Sequence, residues 1–129
     1  MTGTTDSELF LIDSSGWLEY ITADTKAEFF RPYFQPKVRL IVPSIVVYEV
    51  RKILLLRHTS QVADWFVSEV VRHSIVDLDH FLALEAAALS VRYQLHMADA
   101  IIYASALQHR AQLLTSDMHF ANLPGVKVV

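Results

Sequence analysis

Four acids, Asp13, Glu49, Asp99 and Asp117, carry the chemistry that this sequence could perform. Asp13 follows the unbroken apolar run Leu9 to Ile12, and Asp117 follows Leu113-Leu114-Thr115. Apolar runs without polar alternation suit strands covered on both faces, so both acids are expected at the carboxyl ends of buried parallel strands, the edge where open α/β sheets bind ligands. Glu49 and Asp99 are expected in the early turns of helices leaving that same edge. Four carboxylates converging on one cleft repel each other, and a hard divalent cation with oxygen ligands relieves that repulsion. Mg²⁺ or Mn²⁺ is the expected ion. Such a cation acidifies a bound water and stabilises charge on phosphate oxygens, which is the chemistry of phosphodiester hydrolysis.

Each acid also has a plainer reading. Asp13 can cap the helix that begins near Ser14 and Ser15, and Asp117 can cap the turn Met118-His119-Phe120. Asp99 lies in a first helical turn, where the helix dipole favours negative charge; its neighbours Ala98, Ala100, Ile102, Tyr103 and Ala104 imply close packing, which makes an acid costly there without a partner. On a helical wheel Glu49 falls among Ile45, Ile53 and Leu56. Nine of the thirteen residues from Ile45 to Arg57 are apolar, so this helix is expected to be largely enclosed, and Glu49 then needs either an ion pair with Lys52, three residues on, or some other cation. The six histidines, His58, His73, His80, His96, His109 and His119, show no spacing of the His-x-x-x-His kind and are read as structural or solvated.

The elements that must position these acids alternate. Strands are predicted over Leu9 to Ile12, Val38 to Val42, Ser74 to Leu78, Gln112 to Thr115 and Val126 to Val129. Helices are predicted over Ser14 to Ile21, slightly weakened by Gly16, from a capping box at Thr25-Lys-Ala-Glu28 to a break at Pro32, and from Ser44 to about Arg57. Others follow from Ser60 to His73, from a cap at Asp79 to about Tyr93, and from about Met97 to Arg110, with a helical turn over Asp117 to Asn122. Alternation of this kind implies right-handed crossovers and a parallel sheet covered on both faces.

At 129 residues, 53% apolar and 19% charged, the chain is expected to form one domain, residues 1–129, with a core of its own. It contains no cysteine, which excludes disulfides, thiolate metal sites and thiol nucleophiles. Its start is polar and acidic, unlike a secretory signal, and Arg, Lys, Pro or His interrupts every apolar run before the roughly 20 residues of a spanning helix. A cytoplasmic protein with no membrane partner is the expectation. A net charge of −3 argues against a general nucleic-acid coat protein.

In order and spacing, Leu-Ile-Asp13-Ser-Ser, Val-Pro-Ser-Ile-Val-Val-Tyr-Glu49, Leu-His-Met-Ala-Asp99-Ala-Ile-Ile-Tyr-Ala-Ser-Ala and Leu-Leu-Thr115-Ser-Asp117-Met-His-Phe resemble the four acidic motifs of PIN-domain ribonucleases, and most of all the VapC-type toxins of toxin–antitoxin pairs. Ser116 departs from the pattern, since a basic residue is common before the last Asp. The resemblance implies an α/β/α sandwich on a mainly parallel sheet of four to five strands and Mg²⁺- or Mn²⁺-dependent cleavage of RNA. It implies a homodimer and inhibition by a cognate antitoxin. By position it assigns catalysis and metal binding to Asp13, Glu49, Asp99 and Asp117, with Ser14 and Thr115 as polar helpers. Two rivals belong to other classes: a non-catalytic binding subunit of the same fold, and a phospho-acceptor module in which Asp77 or Asp79 would take phosphate and Thr115 would switch. The second needs a paired acid beside Asp13 and a lysine after a later strand, where Ser14 and the terminal Lys127 fit poorly. Apolar residues cover nearly the whole wheel of the helix from Ile45 to Arg57, so its second face, with the Phe29 and Tyr33 stripe that lies on a different side of its helix from Phe30 and Phe34, beside Trp17, is the expected partner surface.

Overall fold

The computed structural model describes residues 8–129; the polar start, residues 1–7, lies outside them. Five strands, β1 (Leu9–Ile12), β2 (Leu40–Pro43), β3 (Ser74–Val76), β4 (Ala111–Thr115) and β5 (Val126–Val128), form one sheet in the order β3-β2-β1-β4-β5. Every pairing is parallel. The helices are α1 (Ser14–Ile21), α2 (Ala27–Phe30), α3 (Ser44–Arg57), α4 (Ser60–Val70), α5 (His80–Tyr93) and α6 (Met97–Gln108), with 3₁₀ turns at Arg31–Phe34 and Met118–Phe120. This is the expected α/β/α sandwich.

The strand order follows from burial. Leu11 and Ile12 point to opposite faces of β1 and neither has any exposure, so β1 must be central and covered on both sides. From β1 the chain steps outward through β2 to β3, then returns across the sheet to add β4 and β5 on the other flank. Right-handed crossovers put α1 to α4 on one face and α5 with α6 on the other. The packing agrees, since α1 lies on α3, α3 on α4, and α5 on α6. The direction of winding reverses between β1 and β4. Their carboxyl ends therefore diverge into a crevice, the topological switch point of a doubly wound sheet, and Asp13 and Asp117 follow those two ends.

Several expectations are corrected. Thr25 does not cap a helix: α2 begins at Ala27, and Asp24 and Glu19 accept the amides of Thr25 and Lys26 at 2.8 and 3.2 Å. Gly16 is required rather than tolerated, because a β-carbon there would lie 2.5 Å from Ile12 Cγ2 and 2.7 Å from Phe30 Cε1. The α3 helix is not enclosed. Val46, Val50 and Leu54 face the core while Tyr48, Leu55 and Leu56 are exposed, Leu56 by 70%. Conversely, the early aromatic stripes belong to the interior: Trp17 is buried against Phe34 and Phe66 at ring-centroid distances of 4.8 and 5.2 Å. Phe29 and Tyr33 are half-buried, Tyr33 edge-on to Phe10 at 5.0 Å.

Candidate metal centre at the carboxyl edge of the sheet

Asp13 leaves β1 in extended conformation and caps α1. It is 3% exposed. Its Oδ1 accepts from Gly16 N at 3.0 Å and from Ser15 Oγ at 2.7 Å, and its Oδ2 accepts from Thr115 Oγ1 at 2.5 Å. Burial raises its pKa from 3.8 to about 6; the three donors oppose that rise, and repulsion from Asp117 adds to it. The capping role is thus real, and it leaves a buried acid that ionises about two pH units later than an ordinary aspartate and is charged at neutral pH only at a cost to the fold.

Thr115 ties the two strand ends together. Fully buried at the end of β4, its hydroxyl donates to Asp13 and accepts from Asp117 N at 2.8 Å. Asp117 in turn accepts from His119 N at 2.9 Å, which folds the Met118–Phe120 turn back over the edge, and buried Phe120 anchors that turn in the core.

The helices deliver the other two acids. Asp99 sits in the first turn of α6, where the cap residue His96 makes no side-chain hydrogen bond. Its pKa is raised, by burial first and then by Asp117 and Glu49, while His119 and His96 oppose the rise. Glu49, half-buried on α3, accepts from Ser14 Oγ at 2.5 Å. Lys52 does not pair with it; the ammonium instead lies 5.7 Å from the Tyr48 ring centroid. Contact between α3 and α6 brings Glu49 within electrostatic reach of Asp99.

The structure therefore gathers all four acids at one edge, but not equally. Donor atoms of Asp99, Asp117 and His119 lie within 4.8 Å of one another and could share an ion; Asp13 stands behind them, joined through Thr115, and Glu49 stands to the side on Ser14. His119 is the member that sequence spacing misses. Its Nδ1 is 3.2 Å from Asp117 Oδ1 and 4.0 Å from Asp99 Oδ2. An Asp-x-His step carries no metal signature until a tight turn points both side chains the same way. Ser116, in the place of the expected basic residue, joins a hydroxyl network, with its Oγ 3.0 Å from Ser15 Oγ. Among the described residues, the ion pairs made by these four acids are those with His119. The donor set, carboxylate oxygens short of positive charge with one imidazole, fits a divalent cation.

The sequence matches no curated protein. Among solved structures, a toxin–antitoxin complex from Klebsiella pneumoniae is similar with a TM-score of 0.78 at 26% identity, over 92% of this chain and 96% of that one. VapBC2 from Rickettsia felis, bound to a fragment of its promoter DNA, gives 0.72 at 15% identity, over 94% and 97%. VapC20 from Mycobacterium tuberculosis, a toxin that cleaves the sarcin-ricin loop, gives 0.68 at 17%, over 87% and 92%; these last two likenesses show the fold alone. The PIN domain model matches residues 10–126, from the central strand that leads into Asp13 to the start of the last strand of the sheet, and the chain belongs to the PIN domain family.

Proposed function

We propose that this PIN domain is a metal-dependent endoribonuclease, the toxin of a VapBC-type pair. The observation that carries the reading is an acid cluster at the switch point of the sheet with too little positive charge of its own. The toxin–antitoxin complex from Klebsiella pneumoniae among its structural neighbours supports it. Asp99 and Asp117, partly open to solvent, would hold Mg²⁺ or Mn²⁺, with Asp13 adding negative charge from behind through the Thr115 bridge. A bound divalent ion supplies an acidified water and offsets charge on the phosphate oxygens. Glu49 is steered by Ser14 through one carboxylate oxygen, which leaves the other to take a proton from water at the rim of the crevice. Thr115 and Ser15 fix the Asp13 carboxylate, and Ser14 fixes Glu49; their role is positioning.

The partners we propose are RNA as substrate, a cognate antitoxin and a second copy of this chain. The apolar surface available for protein partners lies on α3, α4 and α5, where Tyr48, Leu56, Trp65 and Phe81 are exposed, rather than on the early helices. No helix among the described residues is long and apolar enough to cross a membrane, and we place the protein in the cytoplasm. The test is incubation of purified protein with total RNA, with and without Mg²⁺ or Mn²⁺, followed by mapping of the cut ends. Discrete cuts that vanish in excess EDTA are the expected result, and uncut RNA under every cation would overturn the assignment. Light scattering at micromolar concentration is expected to give the mass of a dimer.

A further inference from the structure

We propose that His119 is a direct ligand of the cation, making this a mixed carboxylate–imidazole centre that prefers first-row transition ions such as Mn²⁺ and Co²⁺ over Mg²⁺. The inference rests on the metal-centre reading of Asp99 and Asp117 and adds a ligand to it, with a consequence for which ion the site selects. Its basis is geometric. Around an octahedral ion with bonds of about 2.1 Å, adjacent donors lie ~3.0 Å apart and opposite donors ~4.2 Å apart. The His119 Nδ1 distances of 3.2 Å to Asp117 Oδ1 and 4.0 Å to Asp99 Oδ2 fall in that range. The ring did not come there by free rotation of a surface side chain alone. The hydrogen bond from His119 N to Asp117 Oδ1 fixes the turn, and buried Phe120 fixes its far side, so the backbone presents the imidazole toward the carboxylates.

Selectivity follows from the donor set. Mg²⁺ takes oxygen ligands and keeps much of its water, so it gains little from a nitrogen that replaces one water. Affinity for imidazole rises along the first-row series from Mn²⁺ to Co²⁺ and beyond. A site of carboxylates alone would discriminate less steeply. His96, whose ring centroid lies 6.2 Å from that of His119, is outside the group of donors that can share one ion and serves as a control.

The experiment is a calorimetric titration of the metal-free protein with Co²⁺ and with Mg²⁺, paired with the visible absorption of the Co²⁺ form, for the parent, His119→Gln, His96→Gln and Asp99→Asn. Loss of a ligand should cost at least what loss of an outer-shell partner costs, so His119→Gln is expected to weaken Co²⁺ binding about tenfold or more while Mg²⁺ binding changes less than about twofold. The Co²⁺ spectrum should change in His119→Gln and not in His96→Gln. If His119→Gln binds Co²⁺ as the parent does while Asp99→Asn loses it, His119 is not a ligand and the carboxylate centre stands. If His96→Gln weakens Co²⁺ as much as His119→Gln does, selectivity is not built on His119 and the proposal falls. Parent protein that binds neither ion, or Asp99→Asn that binds both like the parent, would overturn the metal centre and this inference together.

Discussion

In metal-free buffer, replacing Asp13 by Asn should make the protein more stable at neutral pH and less stable in acid. Asp13 is buried, with a pKa raised from 3.8 to about 6. Between those values the folded state binds more protons than the unfolded state, so stability falls as pH rises through that window. At about 1.4 kcal/mol per pKa unit, the ionised side chain costs the folded state about 3 kcal/mol above pH 6, and nothing below pH 3.8. Asn removes that penalty but disturbs one hydrogen bond. Thr115 Oγ1 already accepts from Asp117 N, and an amide NH₂ in place of Asp13 Oδ2 would offer it a second donor and no acceptor, at about 1 kcal/mol. The variant should therefore be about 2 kcal/mol more stable at pH 7, or roughly 8 °C in Tm for a domain of this size. It should be about 1 kcal/mol less stable at pH 3.5, with the curves crossing near ~pH 4.5. Urea denaturation of both proteins in EDTA from pH 3.5 to 7.5 measures this directly, and the difference between the two cancels the other carboxylates. Parallel curves, or a variant that is less stable at pH 7, would refute the reasoning.

Asp99→Asn should remain folded, with an unchanged or higher Tm in metal-free buffer because it relieves repulsion from Asp117 and Glu49, yet lose RNA cleavage by at least ~100-fold; cleavage at the parent rate would remove Asp99 from the site. Cleavage should require added Mg²⁺ or Mn²⁺ and increase with pH through the range in which a metal-bound water ionises, so undiminished turnover in excess EDTA would end the metal mechanism. Gly16→Ala should lower stability by about 1 to 3 kcal/mol through the clash with Ile12 and Phe30, read as a lower denaturation midpoint.

How much of this was legible in the sequence depended on how local the cause was. The Leu9 to Ile12 strand and α1 were readable because an unbroken apolar run and an Asp-capped start depend on adjacent residues only. Strand β2 was placed too early because Val38 is apolar, yet Lys37 and Arg39 flank it and Val38 N turns back to Gln35 O at 3.0 Å. The predicted end of α6 at Arg110 overran because Arg110 adopts a left-handed φ of 53° that turns the chain into β4, a conformation no propensity assigns to arginine. The positions of the four acids were legible, since each follows a strand or lies in the first two turns of a helix. The Thr115 bridge to Asp13 was not, because it exists only when β1 and β4 are neighbours across about a hundred residues of chain. The α3 wheel showed apolar residues all round, and nothing local could say which of its faces the sheet would leave uncovered.

The competing structural and functional readings of these acids turn out to be compatible, because a carboxylate has more acceptor positions than a cap uses. Asp117 holds its turn through Oδ1 alone. Asp13, by contrast, receives donors on both oxygens, so much of its capacity is already taken. That divides the labour in the proposed site. Solvent access increases from Asp13 through Asp99 and Asp117 to His119, the last three at 19%, 32% and 69% side-chain exposure. An ion arriving from solvent meets the outer three first, while Asp13 sets the field from beneath. Hydrogen bonds that cap helices and turns are also what hold these side chains still, and fixed charges need no reorganisation when a phosphate arrives. The cluster's cost to the metal-free fold and its attraction for a cation therefore have one origin, the burial of like charges at the switch point of the sheet.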